Sequence, residues 1–164
     1  MKKNLIIFIL GAVVIVLLDQ VTKIAIVKNF FLHESRPVID GFFNIVYVMN
    51  PGAAFGFLAG ASEMFRYIFF IGITVLVMAL IIYYIVKSTS QNIIYIISLA
   101  LIFGGAVGNL IDRIRFGSVV DFLDIYIGTA HWPAFNVADS SISIGAVLMI
   151  WGMITQRKKE VVSK

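Results

Sequence analysis

The stretch FNVADSSISIGAVLMIWGMIT, Phe135 to Thr155, is followed at once by QRKKE, Gln156 to Glu160. It sets a single carboxylate, Asp139, at the mouth of an apolar run that carries no other charge and ends against a basic tail. Asp139 therefore opens a membrane-spanning helix. A carboxylate at such a place is costly, and by default it marks a functional site. The same residue, followed by Ser140 and Ser141, also fits ordinary capping of a helix N-terminus. Which reading holds depends on where the other polar residues fall.

A chain of 164 residues that is 60% hydrophobic and 13% charged has too little polar surface to cover a soluble globule. Its mean hydropathy of +0.99 agrees, and the class is integral membrane protein. Four spans of about 20 residues would use roughly half of the length, so residues 1–164 are read as one membrane-embedded domain. Basic residues form no surface interleaved with aromatics, so no nucleic-acid partner is expected. With no cysteine in the chain, disulfides, thiolate metal sites and cysteine nucleophiles are excluded.

The first apolar run follows Met1, Lys2 and Lys3 and opens like a signal peptide, but no small-residue cleavage site follows and the pattern resumes beyond Lys23. It reads as one retained span, Leu5 to Val27. Further spans run from Arg66 to Val86, from Ile93 to about Ile111 and from Asp139 to about Thr155, leaving outer loops over 29–65 and 112–138. Lys2, Lys3, Lys87, Arg157, Lys158, Lys159 and Lys164 then share one side, which the positive-inside rule makes the cytoplasm, with both termini there. Acids segregate oppositely: Glu160 is cytoplasmic, whereas Glu34, Asp40, Glu63, Asp112, Asp121, Asp124 and Asp139 lie at or beyond the outer face. Asp19 stands about 21 Å up the first span at about 1.5 Å per residue, so the candidate reactive carboxylates share one layer.

Loop one carries GFFNIVYVMNPGAAFGFLAG, Gly41 to Gly60. Its β-branched and aromatic run from Phe42 to Met49, closed by an Asn-Pro-Gly turn, predicts a short strand pair on the outer leaflet. Phe55 and Phe57 suit an interfacial segment that dips among headgroups. In loop two, VVDFLDIYIG, Val119 to Gly128, adds a possible strand, in which Asp121 and Asp124 would face opposite ways.

Each polar constellation has a structural reading beside the functional one. Asp19 and Lys23 stand four residues apart with the acid first, as an intrahelical ion pair requires; two charges in lipid need each other, and a scaffolding role is open. Asn50 and Gly52 fit a turn, with Asn50 also a candidate donor to a substrate backbone. Gly104 and Gly108 have GxxxG spacing, which suits close helix packing. Asn109 and Arg113 lie one turn apart on one face beside Asp112. Arg115 reads as a snorkelling anchor, and Arg113 either does the same or pairs with a carboxylate of the site.

Asp121 and Asp139 are the favoured reactive pair, although spacing alone does not separate Asp121 from Asp124. The helix dipole favours ionised Asp139, while Val119, Val120 and Phe122 make an apolar setting that raises the pKa of Asp121. Carboxylates so placed share one proton, one acting as base toward water and the other as acid toward a carbonyl. That is peptide hydrolysis with neither metal, cofactor nor covalent intermediate. For a metal, His33 and His131 are the only imidazoles and neither sits in a ligand motif. A serine nucleophile lacks a His or Lys pattern near Ser140 and Ser141.

Taken in order, DQVTK, NPGAAFG, GGAVGNLIDR, VVDF and FNVADSS, spread from Asp19 to Ser141, resemble the lipoprotein signal peptidase (signal peptidase II) family of bacterial membrane aspartic peptidases. The resemblance implies an all-α integral membrane protein of the bacterial inner membrane, with four transmembrane helices, a small extracytoplasmic β-cradle and an interfacial segment. It implies cleavage of diacylglyceryl-modified prolipoproteins just before the lipidated cysteine, near the outer leaflet. It also carries the catalytic pair onto Asp121 and Asp139, with Asn50, Gly52, Asn109, Arg113 and Asn136 around it and Asp19 and Lys23 in support. Membrane lipids are the expected surroundings and a monomer the expected state. The rival readings are a small proton-coupled transporter or relay, which needs polar groups at successive depths that spans two and four lack, and a non-catalytic assembly factor.

Overall fold

The computed structural model describes residues 2–52, 58, 60–87 and 92–162, with backbone alone at residue 2 and at residues 156–162. In chain order the elements are α1 (Lys2–Asn29), β1 (Ser35–Ile39), β2 (Phe43–Asn50), α2 (Glu63–Lys87), α3 (Ile93–Phe116), β3 (Val119–Ile127), β4 (Ala130–His131) and α4 (Val137–Val162). Four helices are long and apolar enough to cross a membrane, over Lys3–Asn29, Glu63–Lys87, Ile93–Phe116 and Val137–Thr155. Large side chains such as Leu10, Val21, Leu80, Tyr83 and Val147 stay exposed on them, as hydrocarbon surroundings allow.

α3 is the centre of the bundle, with half of its most apolar window buried against 11–22% in the other helices. Its inner faces are lined by Ser98, Ala100, Gly104, Gly105, Ala106 and Gly108, and small residues let helix backbones approach closely where lipid offers no competing hydrophobic drive. At Gly105 a Cβ would lie 2.5 Å from the Ala138 carbonyl and the Ser141 hydroxyl of α4, and at Gly108 it would run into the Asp19 carboxylate of α1. The GxxxG spacing thus packs helices, as expected, and also makes room for an acid.

Helix ends differ from the apolar runs. Although the third run fades near Ile111, the helix continues to Phe116, and Asp112, Arg113 and Arg115, expected in the outer loop, are helical. The stop is Gly117, whose φ of 71° is left-handed and whose N–H bonds the Arg113 carbonyl. α2 starts at Glu63 rather than Arg66. α4 starts at Val137, capped by Asn136, so Asp139 is not the capping residue.

The loops form a four-stranded antiparallel sheet, ordered β1-β2-β3-β4, larger than the expected strand pair with one addition. β2 pairs with β3 from Phe43↔Ile125 to Asn50↔Val119, and a register shift between Ile45 and Val48 sets two residues of β2 against Phe122, a bulge that bends the strand. Ile26 of α1 packs beneath the sheet with Val120 and Phe122, joined by Phe30, Ile45, Tyr47 and Met49. Full burial of side chains like these contributes about 1.5–3 kcal/mol each, so β3 is anchored on the end of α1. Phe55 and Phe57 of the expected interfacial segment, and the side chains of the basic tail, lie outside the described residues.

Candidate active site

Asp121 leaves β3 on the face opposite Val120 and Phe122, and only 2% of it is exposed. Asn50, at the end of the neighbouring strand, donates its side-chain N–H to Asp121 Oδ2 at 2.9 Å. Its own Oδ1 accepts from the Gly52 backbone at 3.0 Å, so the Asn-Pro-Gly turn fixes which end of the amide points at the acid. Asn136 donates to Asp121 Oδ1 at 2.7 Å. Burial first, and the charge of Asp139 second, push the Asp121 carboxyl up to about 7, against the Asn50 and Asn136 bonds that favour its ionised form.

Asp139 stands in the first turn of α4. Its backbone N–H bonds the Asn136 side-chain oxygen at 2.8 Å, which is the N-cap bond of that helix. Asp139 Oδ1 accepts from Asn109 Nδ2 at 2.8 Å. Capping thus falls to Asn136, and the carboxylate of Asp139 is left to face the cavity at the positive end of the helix dipole.

Behind the acids lies a buried ionic cluster. Lys23 Nζ meets Asp19 Oδ2 and Asp112 Oδ2, each at 2.9 Å, and donates to Asn109 Oδ1 at 2.9 Å. That last bond turns the Asn109 amide so that its nitrogen points at Asp139. The expected Asp19–Lys23 pair is therefore present and reaches the site through Asn109. Both acids also bind backbone: Asp19 Oδ1 accepts from Ala138 N at 2.9 Å, and Asp112 Oδ2, besides meeting Lys23, accepts from Val120 N at 3.1 Å. Gln20 bridges Asp19 and Asp112, at 3.2 and 3.1 Å. A fully bonded cluster of this kind joins α1, α3, β3 and α4.

A cavity of about 510 Å³ opens over the pair, its polar floor formed by Asn50, Gly52, Asn109, Arg113, Asp121 and Asp139. Arg113 reaches it from α3, bonding the Asn109 and Gly52 carbonyls at 3.4 Å, with its guanidinium 5.0 Å over the Phe70 ring. An apolar wall runs along Trp132, Pro133, Ala134, Phe135, Ile142 and Ile144. All the expected site residues thus gather here, with Lys23 and Asn136 one bond behind the floor and Asp19 behind Lys23.

Asp124 does not join them. On the opposite face of β3 it accepts from Asn44 at 2.8 Å and meets His131 Nδ1 at 2.8 Å, away from the cavity that Asp121 lines. The hydroxyls of Ser140 and Ser141 bond the carbonyls of Asn136 and Ala138. Among the described residues no three His, Cys, Asp or Glu side chains are grouped to hold a metal. Sequence reasoning missed the bridging role of Gln20, and it left Asp112 beside the site without a task. For Asp112 a signal existed, since it lies one turn beyond Gly108, on the face that meets α1.

Comparison with known proteins points one way. A family model described as signal peptidase (SPase) II matches residues 11–155. The lipoprotein signal peptidase of Syntrophus aciditrophicus is 54% identical over 98% of this chain and 99% of its own length. That of Geobacter metallireducens is 46% identical over 98% of each chain. A bacterial membrane enzyme solved by the in meso method at 2.3 Å resolution superposes with a TM-score of 0.83 at 38% identity, covering 93% of this chain and 90% of its own.

Proposed function

Because the chain belongs to the signal peptidase II family, membrane aspartic peptidases that remove signal peptides from prolipoproteins, we propose that Asp121 and Asp139 are its catalytic pair. The observation that carries this is one cavity onto which both acids open, each fixed by an asparagine. Asp121, whose buried carboxyl is pushed up to about 7, is the acid that brings a proton to the reaction, and Asp139, at the start of α4, is the base.

In the proposed cycle Asp139 takes a proton from water while the oxygen adds to the scissile carbonyl carbon, and Asp121 delivers its proton to the carbonyl oxygen. Collapse of the resulting gem-diol breaks the C–N bond: Asp139 passes its proton to the departing amine and Asp121 recovers one from the diol. Atoms and protons balance, and no metal or covalent intermediate takes part. Arg113, on the same floor, supplies positive charge to the oxygen as it gains negative charge.

The substrate is a prolipoprotein whose cysteine carries diacylglycerol, cut just before that cysteine. An apolar wall beside a polar floor suits a peptide tethered to lipid. The protein is a multi-pass bacterial inner-membrane protein. Its sheet end faces outward, with both termini cytoplasmic and the pair near the outer leaflet, where such a substrate is anchored. It acts as a monomer among membrane lipids. A proton relay is less well supported: the buried side chains Asp19, Lys23, Asp112, Asp121 and Asp124 gather at the sheet end of the bundle, not as a ladder across it.

The test is cleavage by the purified protein in detergent of a diacylglyceryl-modified prolipoprotein peptide and of its unmodified twin, with and without a chelator. Cleavage of the lipidated form alone, before the modified cysteine and indifferent to chelation, is expected; failure to cut it would overturn the reading.

A further inference from the structure

Two acids of one strand hold the two ends of a single short segment. Asp121 bonds Asn136 at 2.7 Å, and three residues along β3, Asp124 meets His131 at 2.8 Å. Between His131 and Asn136 run Trp132, Pro133, Ala134 and Phe135, which form much of the apolar wall of the cavity. Backbone bonds tie this stretch near its ends: Trp132 N to the Ile125 carbonyl at 2.8 Å, and Phe135 N to the Leu123 carbonyl at 3.0 Å. At the far end the Phe135 carbonyl also accepts from Phe122 N at 3.0 Å and Leu123 N at 2.8 Å, whereas at the near end β4 is two residues long and exposed.

His131 is built in more firmly than an exposed strand end requires. Its ring lies nearly flat on Tyr126, with centroids 4.9 Å apart and an interplanar angle of 9°. Tyr126 is itself tethered, because its hydroxyl accepts the Gly41 N–H at 3.0 Å. Asp124 is held from its other side by Asn44 at 2.8 Å. A contact chain therefore runs from the β1–β2 turn through Tyr126, and from β2 through Asn44 and Asp124, to His131, the residue before the wall.

We infer that His131 is a substrate-positioning residue, which through Asp124 and Tyr126 fixes the Trp132–Phe135 wall against which the apolar, lipid-bearing part of the substrate rests. This rests on the function proposed above. His131 touches no reacting atom in this scheme, so its loss weakens substrate binding and leaves the chemical step intact.

The experiment compares wild type, His131→Ala and His131→Asn on the diacylglyceryl-modified peptide, with thermal melts to check folding. Asn keeps an N–H near the position of Nδ1 for Asp124 but loses the ring. For His131→Ala, KM should rise about fivefold, the equivalent of about 1 kcal/mol, with kcat within about twofold, and His131→Asn should recover a good part of the rise. An unchanged KM, or a kcat that falls while KM stays, in a wild-type background that cleaves normally, overturns this assignment alone. Should His131→Ala fail to fold, a wild-type KM in folded Trp132→Ala overturns it equally, since the wall would then not bear on the substrate. A wild type inert toward the peptide overturns the functional reading, and this one with it.

Discussion

Asn136 donates one N–H to Asp121 Oδ1 at 2.7 Å while its side-chain oxygen caps α4 at Asp139 N, 2.8 Å away. One buried amide, 0% exposed, thus sets the strand-borne acid against the helix-borne one. Asn136→Ala removes the cap and leaves Asp121 short of a donor, and should destabilise the protein by about 1–2 kcal/mol from the cap alone. Asn136→Asp keeps a capping oxygen but replaces the donor with a negative charge. Burying that charge among Asp121 Oδ1, Asn109 Oδ1 and the Val120 carbonyl should make this variant melt below Asn136→Ala and cleave as poorly, which thermal melts and rates on the same preparations will reveal. Equal activity in Asn136→Asp and wild type would contradict the bridging role.

The pH profile follows from Asp121. Its carboxyl titrates near 7 rather than at the ordinary 3.8, and the proposed cycle needs it protonated at the outset. Activity should therefore fall as pH rises through about 7, with the slope of a single proton lost. Stability carries the same sign: between the unfolded and folded values the native state binds more protons than the unfolded chain, so this group's contribution declines from about pH 4 to about pH 7. A kcat profile flat from pH 6 to 9 would contradict the assignment of the acid.

Coupling between the acids can be read directly. Because the charge of Asp139 is one cause of the raised value at Asp121, Asp139→Asn should lower the Asp121 pKa, though not to 3.8, since burial remains. Carboxyl-selective carbon NMR in detergent measures it. An unmoved titration would mean that the carboxylates do not interact.

The buried cluster makes a stability prediction. Lys23 is the shared cation of Asp19 and Asp112, and removing one partner of a buried ionic group typically costs about 3–5 kcal/mol. Lys23→Met should lower the melting temperature sharply. The paired change Lys23→Met with Asp19→Asn should recover part of the loss, which a simple cavity at position 23 would not allow.

How far the sequence reaches depends on the kind of signal. Spans were legible because hydropathy acts residue by residue, and Asp19–Lys23 because helix spacing is fixed. Opposite faces for Asp121 and Asp124 follow from strand alternation, and the structure bears this out. What stayed hidden needs a third dimension. The continuation of α3 to Phe116 depends on Asp112 finding Lys23 and the Val120 backbone across the bundle. The choice between Asp121 and Asp124 depends on which face of β3 meets α4. His131 reads as an isolated imidazole until β4 folds it onto Tyr126.

The most direct measurement is cleavage of the diacylglyceryl-modified prolipoprotein peptide by Asp121→Asn and Asp139→Asn, each shown by thermal melt to be folded. Asn keeps the shape of the side chain and removes its titrating proton, so both variants should lose cleavage by several orders of magnitude while still binding the peptide. A folded variant of either kind that cuts at close to the wild-type rate would contradict the paired-carboxylate mechanism.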